Sequence, residues 1–551
     1  MSRTSRLLAL ALVSSAVLVP AAAQASPAQT SIMMDDDLLL YRNDTIAANA
    51  LTQMKRLGVD TVRVTVLWRT VAENARPTKA EIKKLRGGKK SNAILQARRF
   101  QATNPKTYPR RNWDRYDNLV TSANRIGLKV YFNLTGPAPD FGHEKAPKSA
   151  GNVRNAWKPR PAAFKQFVQA VGRRYDGSYR DENGSRGALP RVKFWSLWNE
   201  PNQAGWLAPQ WERRGSSIVP AAPALYRKLH QNGYRALVAT GHRVDNDTIL
   251  MGETAPLGND LKTAKAPMRP AQFLREVACI QPNGQRYSGN AARVRDCGDF
   301  SSKGPLIANG FAHHPYTRNV PPTVRDANAD AITMANINDL GALLDGLSSK
   351  TGGSIPDNLP LFMTEFGFET KPPDPFNGID LLNQPLFNNI GEYQAWQNPR
   401  ILSQAQFLLR DVDPVRKHPK GSKAYWFTYQ SGLFFRTGAA KPAAGAYAMP
   451  FLAFNSRTFD LLTGTPVYNL WGQLRLLPNG QAASAAIQWR AKDGSSGAWA
   501  TIGDLVPVDA LGYFTAARSA PSPAVGEWRS AIVNPADGSV LFSSPGTLGI
   551  G

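Results

Sequence analysis

Cysteine is almost absent: Cys279 and Cys297 are the only two in 551 residues. So few thiols exclude a disulfide-built scaffold and a thiolate metal cluster. Their separation of 18 positions fits one short-loop disulfide, worth about 3 kcal/mol by loop entropy. Long apolar runs are missing too. Beyond the N-terminus no segment reaches the ~18 successive apolar residues of a membrane span, which excludes a transmembrane helix of ordinary length. No glycine-rich phosphate loop follows the first strand-like segment, and GGKK at 87–90 is not a nucleotide loop. Histidine is scarce, with six in the chain, and the adjacent pair His313 and His314 would point to opposite faces of a strand. No third residue stands at zinc-like spacing. Neither a metal nor a cofactor is therefore expected.

Acidic residues are in short supply, 41 against 66 Lys and Arg, for a formal charge of +25. Two of those cations, Arg3 and Arg6, precede the apolar stretch LLALALVSSAVLV, which ends near Ala-Gln-Ala at 23–25. Residues 1–25 read as a secretory signal cut before Ser26, and the chain as secreted. Between Glu73 and Arg111 stand twelve Lys or Arg against two Glu. Such a stretch is either a solvated surface or an attractor of polyanions. It lacks interleaved aromatics beyond Phe100 and Tyr108, so no nucleic-acid partner is expected.

Strand-like segments alternate with helix-length amphipathic ones for most of the chain. The eight strand candidates are SIMM (31–34), VDTVRVTVLW (59–68), LKVYFNLTG (128–136), RVKFWSLWN (191–199), TILMGET (248–254), IANGFAHH (307–314), LPLFMTEFG (359–367) and KAYWFTYQ (423–430). Several of the intervening helical stretches close on a glycine at the C-cap position. Eight strand-helix repeats predict an α/β (β/α)8 TIM barrel, with a doubly wound open sheet as the alternative. Past TGTP at 463–466 the texture changes to short strands and turn signals (AAIQWRA, YFTAAR, EWRSAIV, SVLFSS). That grammar predicts a small all-β, Ig-like sandwich. The expected division is a catalytic barrel at 26–465 and a sandwich at 466–551.

Chemistry in such a barrel belongs at the C-terminal ends of the strands. Glu200, in WNEPN, follows the fourth strand candidate, and Glu365, in FMTEFGF, ends the seventh. Two carboxylates facing each other from opposite sides of the rim are what glycosidic bond cleavage requires. With these motifs the chain resembles glycoside hydrolase clan A, the retaining (β/α)8 glycosidases that include families 5 and 39, over about residues 30–460.

The resemblance implies that Glu200 is the acid/base and Glu365 the nucleophile, with carboxyls about 5 to 5.5 Å apart and anomeric configuration retained. It implies substrate-binding roles for Asn199 at the sugar 2-hydroxyl, Arg63 behind the nucleophile, and His314 and Tyr316 from HHPY. Trp426, from YWFTYQ, would be an aromatic floor. Arg63 also reads as an interior ion-pair partner, His314 as a core histidine and Trp426 as core. Glu253, in MGETAP, is the rival carboxylate, assigned to support of the site or the structure.

The expected activity is hydrolysis of O-glycosyl bonds in a carbohydrate, with the basic stretch suggesting an anionic one, by a secreted monomer. The alternative is a non-catalytic glycan- or polyanion-binding protein on the same scaffold.

Overall fold

A computed structural model describes residues 26, 29–183, 187–476, 481–492, 497–522, 525–534 and 537–548. The expected leader, 1–25, lies outside them. Eight parallel strands close into a barrel: β1 (Thr30–Met34), β2 (Thr61–Leu67), β3 (Lys129–Thr135), β4 (Phe194–Leu197), β5 (Thr248–Thr254), β6 (Gly310–His313), β7 (Leu361–Met363) and β8 (Ile401–Phe407). The ring shuts where β1 pairs with β8, Thr30 opposite Ser403 and Met34 opposite Phe407. The longest helix after each strand is, in order, α1 (Asp44–Arg56), α2 (Arg110–Arg125), α3 (Pro161–Arg174), α4 (Ala222–Val238), α5 (Pro270–Val277), α6 (Asn338–Thr351), α7 (Asn383–Gln397) and α8 (Pro442–Ala448).

Local sequence explains these elements. β-Branched and aromatic residues fill β2 (TVRVTVL) and β3 (KVYFNLT), and both strands are buried almost throughout, as barrel strands covered by helices must be. α1 starts where the Asn43 side chain accepts from the Ile46 N–H at 2.9 Å, and α6 ends on Gly352 in the left-handed region. Inside the barrel, Ile32, Tyr131, Leu250, Ala312, Phe362 and Ala405 pack together as an apolar floor.

Seven of the eight strand candidates coincide with barrel strands, but the eighth does not. The last strand is ILSQAQF at 401–407, while 423–430 forms part of the long connection after it. The polar residues Ser403, Gln404 and Gln406 are buried in β8, so its sequence lacks an apolar pattern. The segment KAYWFTYQ has the aromatic content of a strand, yet Phe427 is 83 % and Tyr429 55 % exposed.

The sandwich also begins earlier than the expected boundary at 465/466. Strand Phe451–Phe459 pairs with Pro466–Gln473, which pairs with Tyr513–Ser519. A second sheet is built on Ala483–Ala491 and Gly526–Val533. Phe451, Leu470, Ile487, Phe514, Trp528 and Ile532 fill the space between the sheets.

The outer face of the first sheet lies on α7: Leu452, Trp471 and Tyr513 meet Ile390, Tyr393 and Trp396. Arg475 adds an ion pair to Glu392 of α7 at 2.6 Å. Gly58, at φ +83° before β2, abuts Arg475 so closely that a Cβ would sit 2.5 Å from the arginine's Cβ.

The basic stretch is largely helical, at Lys79–Lys84 and Gly87–Arg99, and in the longer helix only Ala93 is buried. The disulfide expected between Cys279 and Cys297 is formed, with Cα atoms 5.9 Å apart. Among the described residues no helix is long and apolar enough to cross a membrane.

Trp471 is 2 % exposed and stands between the two units. Trp471→Ala should cost about 3 to 5 kcal/mol in denaturant unfolding. A cost below about 1 kcal/mol would mean that the interface contributes little.

Candidate active site

The site is assembled from the C-terminal ends of the strands. The backbone leaves regular geometry there: Trp198, Glu200 and Glu253 have φ of +78°, +35° and +50°, which non-glycine residues rarely adopt. Such strain persists only where the surroundings impose it. Trp198 is held by its N–H to Leu134 O at 2.9 Å, with its ring against Gly136, where a Cβ would come within 2.8 Å. Glu200 N–H donates to Glu253 O at 2.9 Å. The β5–β6 register breaks between Gly252 and Thr254, a bulge that re-aims Glu253.

Arg63, fully buried on β2, ties four groups together. Nη1 donates to Glu365 Oε1 at 2.8 Å and to Met34 Sδ at 3.0 Å. Nη2 donates to Asn199 Oδ1 at 2.8 Å and to Glu253 Oε2 at 3.1 Å. Asn199 is fixed further by its own N–H on Thr135 Oγ1 at 3.0 Å, so the amide nitrogen is presented as a donor. Tyr316 O–H donates to Glu365 Oε2 at 3.1 Å. His314 reaches three carboxylates: Nε2 to Glu253 Oε2 at 2.6 Å, Nδ1 to Glu200 Oε1 at 3.0 Å and to Glu365 Oε2 at 3.5 Å. Glu253 also accepts from Ser196 Oγ at 2.6 Å, Thr364 Oγ1 at 2.8 Å and the Tyr131 hydroxyl.

Charge states follow from these partners. Burial alone would discharge His314, but Glu365, Glu200 and Glu253 together push its pKa up to about 10, so it is an imidazolium. Its neighbour His313 is the reverse: burial takes it down to about 3, and its ring pairs with Thr254 Oγ1 at 2.8 Å and Ile332 O at 2.9 Å. Burial would raise Glu253, yet Arg63, His314 and Ser196 outweigh it and hold the carboxyl well below the usual range. Glu365 is pushed up by burial and by Glu200 and Glu253, against the pull of His314 and Arg63.

A carboxylate oxygen of Glu200, one of Glu365 and a ring nitrogen of His314 all lie within 4.8 Å of one another. Three such groups suggest a metal, but the donor set does not suit one. Both nitrogens of His314 are already engaged with carboxylates, Nε2 with Glu253 and Nδ1 with Glu200, so the ring could take an ion only by giving up one of them.

The cluster forms one end of a cavity of about 740 Å³, the size of ordinary small-ligand sites. Asn199, Glu200, Tyr316 and Glu365 line it, whereas Arg63 and His314 stand behind the lining. Trp426 is not among the lining residues; Tyr429, three positions on, is. An aromatic wall runs from Tyr316 through Phe407 at the end of β8 to Tyr429, with ring centres 6.0 and 5.0 Å apart. Trp206 lines another part of the cavity.

Three further carboxylates at the cavity wall, Asp36, Asp37 and Glu369, escaped the sequence reading. Asp36, just after β1, accepts from Thr65 N–H at 3.1 Å and is raised by burial to about 6. Glu369, beyond β7, is raised to about 8 by burial and by Asp374. Asp36 could have been found as the acid in a strand-end triplet, DDD at 35–37. Phe407 was hidden because β8 itself went unread.

No family model matches the sequence, and no curated protein matches it. Solved structures to which the chain is similar include a monomeric beta-xylosidase from Caulobacter crescentus, 12 % identical over 91 % of this chain and 98 % of that one, with a TM-score of 0.44. A glucosidase from Croceicoccus marinus is 12 % identical over 86 % and 92 %, with a TM-score of 0.42. A GH5_18 from Bifidobacterium longum subsp. infantis is 14 % identical over 76 % and 77 %, with a TM-score of 0.40.

His314 has a testable consequence for stability. Its folded pKa of about 10 lies above the 6.5 of a free histidine. Its contribution is therefore complete below pH 6.5 and is lost as pH rises through about 10. Melting temperatures measured across that window should decline, and the decline should be smaller in His314→Gln. Equal declines in the two proteins would place the titration elsewhere.

Proposed function

We propose that the chain is a retaining glycoside hydrolase in which Glu365 is the nucleophile and Glu200 the acid/base. The observation that carries this reading is the approach of the two carboxylates to within 4.8 Å at the cavity wall. That spacing suits direct attack on the anomeric carbon, whereas an inverting pair needs about 6.5 to 9.5 Å to admit a water between them.

In the first step a Glu365 oxygen bonds to the anomeric carbon as the bond to the leaving oxygen breaks, and Glu200 gives that oxygen its proton. In the second, Glu200 takes a proton from water, the water oxygen bonds to the anomeric carbon, and Glu365 is released. Arg63 and Tyr316 support the assignment of Glu365 to attack, because each donates to one of its oxygens and so works toward the ionised form against the burial that raises its pKa. Glu200 lacks an arginine partner and has His314 beside it. Asn199, oriented by Arg63, is the donor for the sugar 2-hydroxyl, and the aromatic wall offers a stacking face for a sugar ring.

The bound ring is a neutral sugar. Besides the catalytic pair the cavity lining carries Asp36, Asp37 and Glu369 and one cation, Arg318; with Asp36 raised to about 6 and Glu369 to about 8, the wall offers little positive charge to pair with a ring carboxylate. No residue between 73 and 111 lines the cavity, so that stretch would act on an anionic glycan only by long-range attraction. Export of the chain after removal of residues 1–25 is part of the same proposal, supported by a disulfide of the kind that persists in oxidising compartments. Every group of the site comes from one chain, so a monomer suffices.

Glu365→Ala should reduce kcat on an aryl glycoside by about 10⁴-fold or more, and azide should restore turnover with an inverted product. Glu200→Ala should slow poor leaving groups far more than activated ones. Wild-type rates in either variant would reject the pair. On a neutral aryl glycoside, kcat/KM should stay flat as salt is raised and should not change when Lys83, Lys84, Lys89 and Lys90 are replaced by Gln. A steep salt slope would instead bring the basic helices into substrate capture.

A further inference from the structure

We propose that Glu253 is a positioning residue for the catalytic pair: by keeping His314 a cation between Glu200 and Glu365, it sets the pH range in which one carboxylate is protonated and the other ionised. The proposal deepens the glycosidase reading and rests on it for its kinetic arm.

Glu253 has 0 % exposure and does not line the cavity, so it has no contact with substrate. A plain counterion for Arg63 would explain one of its contacts, at 3.1 Å, but the contact to His314 is shorter, 2.6 Å. With Nε2–H committed to Glu253, the other nitrogen faces Glu200 and Glu365 at 3.0 and 3.5 Å. A neutral ring would turn a lone pair toward two carboxylates there. The doubly protonated ring instead donates from Nε2 to Glu253 and from Nδ1 to Glu200, with Glu365 close to the same charged nitrogen.

The groups facing Glu253 from the surrounding strands are Arg63, the neutral donors Tyr131, Ser196 and Thr364, and His314. Those facing His314 are Glu200, Glu253, Glu365 and, edge-on, the ring of Tyr316. Removal of the Glu253 anion therefore leaves a buried imidazolium whose remaining counter-charges are the two groups that must divide one proton in catalysis. His314 lowers the Glu365 pKa more than Glu253 raises it. Losing both charges together thus raises the nucleophile's pKa. The backbone couples the same residues, since Glu253 O accepts the Glu200 N–H at 2.9 Å.

The test is Glu253→Gln, which keeps shape and one acceptor but not charge, beside Glu253→Asp, which keeps the charge. In protein with ¹⁵N-labelled histidine, both ring nitrogens of wild-type His314 should be protonated at about pH 8, well above the ordinary histidine range. The Gln variant should lose one of those protons below that pH, and the Asp variant should retain both. The acidic limb of kcat/KM should move up by about one pH unit in Glu253→Gln and return toward wild type in Glu253→Asp. An unchanged limb and an unchanged His314 in the Gln variant would overturn the proposal.

If Glu253→Gln fails to fold, the wild-type and Asp spectra still decide, because a neutral His314 at about pH 7 in either overturns it. Wild-type protein inactive on every glycoside, with His314 responding as expected, would sink the glycosidase reading and leave the linkage from Glu253 to His314 supported.

Discussion

Charge buried away from water is tolerated only when its partners are already in place, and this constraint organises the upper half of the barrel. Arg63 and His314 have no exposed side-chain surface, and neither has Glu253. Each would be expensive alone, by several kcal/mol after relaxation. Held within about 3 Å of one another they form an alternating array of cations and carboxylates, and that array leaves Glu365 and Glu200 at its open edge. Both reach the cavity because the balancing charges lie behind them.

The fold supplies the geometry for this array at several separate points in the sequence. Arg63, Glu253, His314 and Glu365 come from four different strands or strand ends, and only closure of the ring brings them together. An apolar floor beneath them keeps water from entering from below, which strengthens each electrostatic contact above it. The left-handed backbone at Trp198, Glu200 and Glu253 is the local cost of turning the chain at the ends of β4 and β5 so that the two glutamates reach the site, and hydrogen bonds hold it.

Much of this was legible in the sequence, and the gaps have physical causes. Strands β1 to β7 could be read because barrel strands are buried on both faces and so carry runs of β-branched and aromatic residues. β8 could not: Ser403, Gln404 and Gln406 are buried in it, Ser403 and Gln406 hydrogen-bonding to neighbouring chain, as Gln406 does to Ser431 O at 3.0 Å, and such residues look exposed in a sequence. α7 was equally opaque. It packs against barrel on one side and sandwich on the other, burying Gln384, Asn388, Asn389 and Glu392, so no polar face remains to give it a helical rhythm. Glu200 and Glu365 were found because motif and strand-end position agreed. The meaning of Glu253 lies in side chains from five other strands or strand ends, which no local pattern records.

The sandwich touches the barrel where the barrel's first and last strands meet. Tyr513 O–H reaches Gln29, just before β1, at 2.7 Å. Arg475 holds Glu392 on α7 and the carbonyl of Tyr447 on α8 at 2.6 and 2.7 Å, and it presses on Gly58 ahead of β2. A barrel closes by hydrogen bonds alone at the seam between its ends, since no covalent crossover spans β1 and β8. Here a separate unit grips both sides of that seam from outside. The barrel therefore cannot part at this seam without disturbing the contacts of the sandwich, which makes the C-terminal unit a clasp across it.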